Sequence, residues 1–239
     1  MDIQRLHLQL ARLTKADDAA TILRDFVRDL GATSAIFTSY VVGDPTLDSY
    51  RFILAADTVM CDTYLKRYWF LNDPCILYTN GNTEPLRLSM LPVATSAQRE
   101  ILDEAANHGF RSGYVVPVHG SAISSRAGVL FVGSDDPQRF ASKESFDAVR
   151  SISRLLAMEL YDFVIAMVRR ELLDAADLST DDLTMLRMQR DGYQSKDIAK
   201  ILNTTPAAVD KRFTRLNQRL GVANRRHAAD LVAQYGILA

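Results

Sequence analysis

The chain has 239 residues, 48% of them hydrophobic and 24% charged, with a formal net charge of −1. That length suits two domains of ordinary size, the composition is that of a globular protein, and no run of ~18 apolar residues offers a bilayer span. The opening stretch MDIQRLHLQLARLTKADD is amphipathic and acquires acidic residues early, which excludes the basic n-region and continuous apolar core of a signal peptide and leads us to expect a cytoplasmic protein.

Residues Ile3–Leu13 and Ala19–Leu30 carry apolar side chains at three-and-four spacing and predict amphipathic helices, the second ending at Gly31. SAIFTSYVV (34–42) and YRFILAA (50–56) are rich in β-branched and aromatic residues and flank Gly43-Asp44-Pro45, so they predict paired strands. VMCDTYLKRYWF (59–70) returns to helical spacing and is closed by Asn72-Asp73-Pro74. A helix over Ser96–His108 precedes a second strand pair, GYVVPVHG (113–120) and GVLFVGS (128–134). A long helix is predicted from Ser142 to about Leu173, hydrophobic enough around MELYDFVIAMV to pack on both a sheet and a partner chain. RRELLDAAD (169–177) turns polar and acidic and reads as a helix end running into a short linker.

After Leu178 four short helical segments follow, Asp181–Arg190, Ser195–Leu202, Pro206–Leu220 and Arg226–Tyr235. The expected architecture is α+β: an N-terminal α/β/α sandwich with a largely antiparallel sheet over 1–168, a linker over 169–177, and an all-α four-helix domain over 178–239. Charge divides along the same line. Residues 178–239 hold ten Lys and Arg against six Asp and Glu, a net of +4, and the remainder 18 against 23, a net of −5. Cys61 and Cys75 have neither CxxC spacing nor clustered histidines, so buried reduced thiols are expected and no metal site or cofactor is indicated.

SKDIAKIL (195–202) is a short helix with Ser195 as the expected N-cap, followed by the turn Asn203-Thr204-Thr205. Thr205 suits the cap of the next helix and Pro206 its first position. Val209, Phe213, Leu216 and Leu220 then share one face, and the opposite face carries Lys211, Arg212, Arg215, Gln218 and Arg219. Helix, tight turn and second helix with a basic outward face is helix-turn-helix geometry, in which the second helix enters the major groove of DNA. Gly221 suits a left-handed C-cap and Asn224 the cap of a fourth helix.

From Leu178 onward the chain closely resembles the LuxR-type helix-turn-helix, above all in Gly192-Tyr193-Gln194-Ser195-Lys196-Asp197-Ile198-Ala199 and in Lys211 through Leu220-Gly221-Val222-Ala223-Asn224-Arg225. The resemblance implies a transcription regulator that contacts double-stranded DNA through Thr204, Thr205, Asp210, Lys211, Arg212, Arg215, Arg219, Arg225 and Arg226, each of which is alternatively a solvated surface group. It departs from the family at Asp181-Asp182, where Arg-Glu is usual, and at Asp210, where a cation is frequent. An aspartate at the start of a recognition helix suits the dipole and can accept from cytosine, but it repels phosphate. A symmetric homodimer is expected on DNA, built on the long helix and the final one.

Further forward, Asp73-Pro74 with Tyr64 nine residues earlier, and HGFRSGYVVPV (108–118) with Gly113, resemble the autoinducer-binding domain of LuxR-type quorum-sensing receptors. That implies a pocket for an acyl-homoserine lactone, with Asp73 accepting from the ligand amide and Tyr64 alongside. The tryptophan that would donate to the lactone carbonyl is replaced by Met60, a second family tryptophan falls on Arg87-Leu88, and two polar pocket positions on the first and last strands appear as Ala56 and Phe131. An unsatisfied buried carbonyl costs ~1–3 kcal/mol, so a standard lactone is disfavoured. Met60, Tyr64 and Tyr68, spaced by four with Trp69 beside them, form an aromatic pocket for a different small-molecule signal; alternatively this face is filled core and Asp73 only caps the turn before Pro74, which leaves a ligand-independent regulator. Enzymatic chemistry is not expected, since His7, His108, His119 and His227 are scattered and no phosphate loop or catalytic carboxylate pair appears. A phosphorylation-controlled response regulator shares the same DNA-binding module, but its receiver would open on a strand with an acidic cluster rather than on two helices.

Overall fold

The computed structural model describes residues 3–10, 12, 13, 15–120, 126–235, 237 and 238. It forms two compact units, the first from the described residues up to Gly120 together with Arg126–Val164, the second from the described residues from Ile165 onward.

In the first unit, α1 (Ile3–Leu10) and α2 (Ala16–Asp29) precede β1 (Ser34–Val41) and β2 (Arg51–Ala55). Of the expected first helix, Ala11 lies outside the described residues. Then come α3 (Thr58–Lys66), a single 3-10 turn at Trp69–Leu71, α4 (Pro74–Gly81), β3 (Leu86–Arg87), α5 (Ser96–Asn107), β4 (Ser112–His119), β5 (Arg126–Ser134) and α6 (Lys143–Ala176), whose residues after Val164 belong to the second unit. The strands form one sheet in the order β2-β1-β5-β4-β3, and every pairing is antiparallel. The expected strand pairs both form, and the β1–β5 ladder joins them. α4 and β3 were not foreseen.

Alternation along the strands decides the two faces of the sheet. Ala35, Phe37, Ile53, Leu130 and Val132 are buried on one side, where α2 packs on β1 and β2 and α6 meets the sheet through the Tyr114–Ser153 hydroxyl pair at 2.8 Å. Ile36, Thr38, Phe52, Leu54 and Phe131 lie on the other, toward α3 and α5, and leave a cavity between sheet and helices. Gly113 is opposite Gly133 in the β4–β5 ladder, and a Cβ there would stand 2.4 Å from the Val132 carbonyl oxygen, so only glycine fits. Burial of these apolar faces supplies the main folding drive of the unit.

The second unit holds the end of α6 and α7 (Thr180–Arg190), α8 (Ser195–Ile201), α9 (Pro206–Arg219) and α10 (Arg225–Gln234). α6 stays helical through Ala176, so much of the expected linker 169–177 is helix, and the chain breaks at Asp177, whose φ is +43°. Met185, Leu186, Ile198, Val209, Phe213, Leu216, Ala228 and Val232 make the core. The predicted face of α9 is thus buried at Val209, Phe213 and Leu216, with Leu220 half-buried. Thr205 caps α9 by accepting from the Ala208 N–H at 3.2 Å, Asn224 caps α10 by accepting from the Arg226 and His227 N–H groups at 3.0 Å each, and Gly221 closes α9 at φ +66°. One cap expectation fails: Gln194, not Ser195, occupies the N-cap of α8, because the Ser195 hydroxyl donates to Asp210 at 2.5 Å.

Candidate ligand pocket and nucleic-acid interface

The cavity of the first unit has a volume of about 50 Å³ and is walled by the sheet, α3, α5 and the start of α4. Asp73 anchors its polar end. As N-cap of α4 it accepts from the Cys75 N–H at 2.7 Å with Oδ1 and from the Tyr64 hydroxyl at 2.7 Å with Oδ2, and it is only 4% exposed. Burial pushes its carboxyl above the usual range, although the donors from Tyr64 and Cys75 pull the other way. Burial, with Asp73 alongside, also drives the Tyr64 phenol well up, so it stays a donor. Cys61 and Cys75 are both free and buried on this wall; burial raises the Cys61 thiol to about 11 and lifts the Cys75 thiol well above its ordinary range, so both remain protonated.

Met60, Tyr64, Asp73 and Phe131 all line the cavity. Ala56 stands not on the first strand but in the bend between β2 and α3, packed against the Met60, Ala105 and Phe110 cluster. Tyr68 and Trp69 correct the expectation of one Met60–Tyr64–Tyr68 face. α3 stops at Lys66, Tyr68 adopts a left-handed φ of +53° and is 59% exposed, and its ring turns to Phe70 instead. Trp69 lies edge-on to Tyr64 at 6.5 Å between centroids, with the Arg67 guanidinium 5.2 Å above its ring, so it backs the pocket without lining it.

In the second unit the turn between α8 and α9 carries Asn203 at φ +49° and exposed Thr204 and Thr205. Lys211 and Arg215 are exposed on α9 and share an open groove with Thr204. Arg226 is exposed at the start of α10. Two expected outward cations are engaged within the fold. Arg212 donates from Nε to Asp182 at 2.6 Å, from Nη1 to Asp181 at 3.1 Å and from Nη2 to the Ser179 hydroxyl at 2.7 Å. Arg219 donates to Asp182 Oδ2 at 2.9 Å and to the Asp177 carbonyl at 2.7 Å. Asp182, 3% exposed, also closes a capping box with Ser179 at the start of α7. Burial alone would raise its carboxyl, but Arg219, the Ser179 N–H and Arg212 outweigh it and hold it below the usual range. Asp210 accepts from Ser195, and Arg225 donates to the same hydroxyl at 2.9 Å while standing 3.7 Å from the Asp210 carboxylate and 5.8 Å over the Phe213 ring.

Residues 15–164 match the family described as the autoinducer binding domain, and residues 176–232 match the bacterial regulatory proteins of the luxR family. The chain is a LuxR-family transcriptional regulator. This LuxR-family protein is 24% identical over 235 residues to the transcriptional activator protein VanR of Vibrio anguillarum, covering 95% of this chain and 93% of that one. Its fold is similar to that of Escherichia coli SdiA, with a TM-score of 0.73 at 15% identity over 99% of this chain and 98% of the other. It is also similar to CepR2 of Burkholderia cenocepacia, with a TM-score of 0.58 at 15% identity over 70% of this chain and 95% of that one.

The regulator is thus of the quorum-sensing type, its partners are a small-molecule signal and DNA, and its family is one of regulators rather than enzymes. Among the described residues no helix is long and apolar enough to cross a membrane. Sequence reasoning about the LuxR-type pocket missed Thr38, Ile101 and Phe110, which also line the cavity, as does Leu88, where a family tryptophan falls. Alternation along β1 could have pointed to Thr38, since Ile36 and Thr38 share a face; Ile101 and Phe110 depend on how α5 lies over the sheet, which no local signal carries.

Proposed function

We propose that this regulator reads DNA as a homodimer in the cytoplasm and answers to a neutral small molecule other than a simple acyl-homoserine lactone, with residues 1–168 as sensor, 169–177 as connector and 178–239 as reader. The observation that carries the ligand reading is the cavity itself. Asp73 and Tyr64 supply its polar end, and Met60 faces it where a lactone carbonyl would need a donor. Among structural relatives, SdiA occurs in complex with octanoyl-rac-glycerol, and CepR2 is described as N-acylhomoserine lactone dependent. Ala56, Tyr68 and Trp69 support the pocket from outside its lining.

The test is a thermal-shift panel on the full chain, with N-octanoyl-homoserine lactone beside extracts of the native cell and its host. A specific binder adds RT ln(1 + [L]/Kd), or ~2.7 kcal/mol at a hundredfold excess over Kd. Nanomolar binding of the lactone would overturn the exclusion. The volume of about 50 Å³ favours a second reading, a ligand-independent regulator with a filled core, because ligand pockets ordinarily enclose ~300 Å³ or more. No response to any compound, with an unchanged melting curve for Met60→Ala, would select it.

On DNA, Lys211, Arg215, Arg226, Thr204 and Thr205 are the proposed contacts, Arg212 and Arg219 support the reading helix through Asp182, and Asp210 with Arg225 borders it. Leu155 and Met158, exposed apolar residues of α6, support dimerisation through that helix, together with α10. Sedimentation and footprinting test this: a dimer protecting two half-sites about one helical turn (~10 bp) apart is expected, and a monomer on a single half-site overturns it.

A further inference from the structure

The cavity holds one polar group that the ligand reading has not used. Thr38 sits in the middle of β1, opposite Phe52 of β2 and Val129 of β5, and its side chain lines the cavity. It is 2% exposed, and its hydroxyl has no hydrogen-bond partner among the described residues. Buried hydroxyls are ordinarily bonded. In helices they return to the carbonyl four residues back, as Thr79 does to Cys75 at 2.9 Å. A strand laddered on both sides directs its carbonyls to its neighbours, so Thr38 lacks that outlet. An unpaired hydroxyl on a cavity wall is available to an occupant as both donor and acceptor.

The rest of the lining restricts that occupant. Among the described residues no Lys, Arg or His lines the cavity, so an anion would face the Asp73 carboxylate with no counter-charge. Asp73 accepts from Tyr64 and Cys75, and a carboxylate has about four lone-pair sites, so one more donor can be accommodated. The two thiols are weak partners, and the remaining walls are apolar, among them Phe52, Leu54 and Leu102. Thr38 belongs to the sheet and Asp73 to the start of α4, so the two groups address an occupant from different layers.

We propose that Thr38 is the second polar anchor of this cavity: its hydroxyl donates to an oxygen of a neutral amphiphile whose own N–H or O–H donates to Asp73. The donor that Met60 lacks on α3, where a lactone carbonyl would need it, stays absent; Thr38 offers its hydroxyl from β1, at a different wall. This rests on the ligand reading above and names the class, a neutral amide or hydroxylated ester with a short apolar body.

The experiment uses the full chain, with octanoylglycerol, octanamide and sodium octanoate as probes, read by thermal shift and by the fluorescence of Trp69, the sole tryptophan, which abuts Tyr64. Both neutral probes should bind and octanoate should not. Thr38→Val keeps the shape and deletes the hydroxyl; it should raise the ligand-free melting temperature while weakening both neutral probes about tenfold, the size of one hydrogen bond, and Thr38→Ser should restore binding. Unchanged affinity in Thr38→Val overturns the anchor and leaves the ligand site standing. Octanoate binding as tightly as octanamide overturns the neutral class. A parent chain that responds to neither neutral probe overturns the ligand reading, and the anchor with it.

Discussion

Two buried carboxylates, one in each unit, show how the same side chain serves opposite ends. Asp73 and Asp182 are 4% and 3% exposed, and each sits at the start of a helix, as N-cap of α4 and in the capping box of α7. Asp73 is met by neutral donors, a phenol and an amide, so burial prevails and its carboxyl rises. Asp182 is met by Arg212 and Arg219, and its carboxyl falls despite burial. A buried charge needs a counter-charge to be stable in a fold. The second unit provides one and so fixes α9 against α7; the first withholds it and keeps a carboxyl poised at a cavity wall, where an added donor has most to offer.

The largest loss is expected at Asp182. Asp182→Ala removes the capping box and leaves the Arg212 and Arg219 guanidiniums without the buried carboxylate they share, so the second unit should lose about 3 kcal/mol, read as a drop in the urea midpoint of the far-UV signal. Arg212→Ala leaves the buried carboxylate one partner short and should cost about 1–2 kcal/mol, read from the same midpoint, as well as weakening DNA binding. Lys211→Ala should change stability by less than about 0.5 kcal/mol and reduce the salt slope of DNA binding by about 1. Equal stability losses at Arg212 and Lys211 would show that the Asp182 clamp does not hold the fold.

pH sharpens the same contrast. The contribution of Asp182 is present above its ordinary value of 3.8 and is lost as pH falls through its depressed folded value. The contribution of Asp73 runs the other way, complete below 3.8 and lost as pH rises through its elevated folded value. In denaturation series from about pH 3 to pH 7, the deficit of Asp182→Asn relative to the parent should therefore grow with pH, while that of Asp73→Asn should shrink. Trp69 fluorescence follows the first unit, and the part of the far-UV helical change that does not track it follows the second. Parallel trends for the two variants would refute the opposed electrostatics.

The reader was legible because its signals are local. Caps at Thr205 and Asn224, the left-handed Gly221 and the apolar spacing of α9 each act within a few residues. The pocket was half legible for a related reason. Asn72-Asp73-Pro74 closes one helical stretch and opens another, and an N-cap aspartate before proline is itself a start signal, so α4 was hidden by being read as an ending. Tyr68 kept its helical spacing on paper but lost the helix to a left-handed turn. Helical periodicity put Arg212 and Arg219 on the polar face of α9, which is correct, but said nothing of a carboxylate some thirty residues away that pairs with both.

The smallest expected effect concerns Asp210, the one acid within α9. Its carboxylate is bound by Ser195 and flanked by Arg225, joining the starts of α8, α9 and α10, but the group is largely exposed, and exposed pairs of this kind contribute ~0–1 kcal/mol. Asp210→Ala should therefore leave the urea midpoint nearly unchanged. It removes a charge that repels phosphate and releases the Arg225 guanidinium, so one further counterion should be displaced on binding. Affinity for the operator and for an unrelated duplex should rise together by a few-fold, and the salt slope should steepen by about 1. A changed preference at a single base pair with an unchanged slope would mean instead that the Asp210 carboxylate accepts from a base edge, and that Ser195 and Arg225 aim it there.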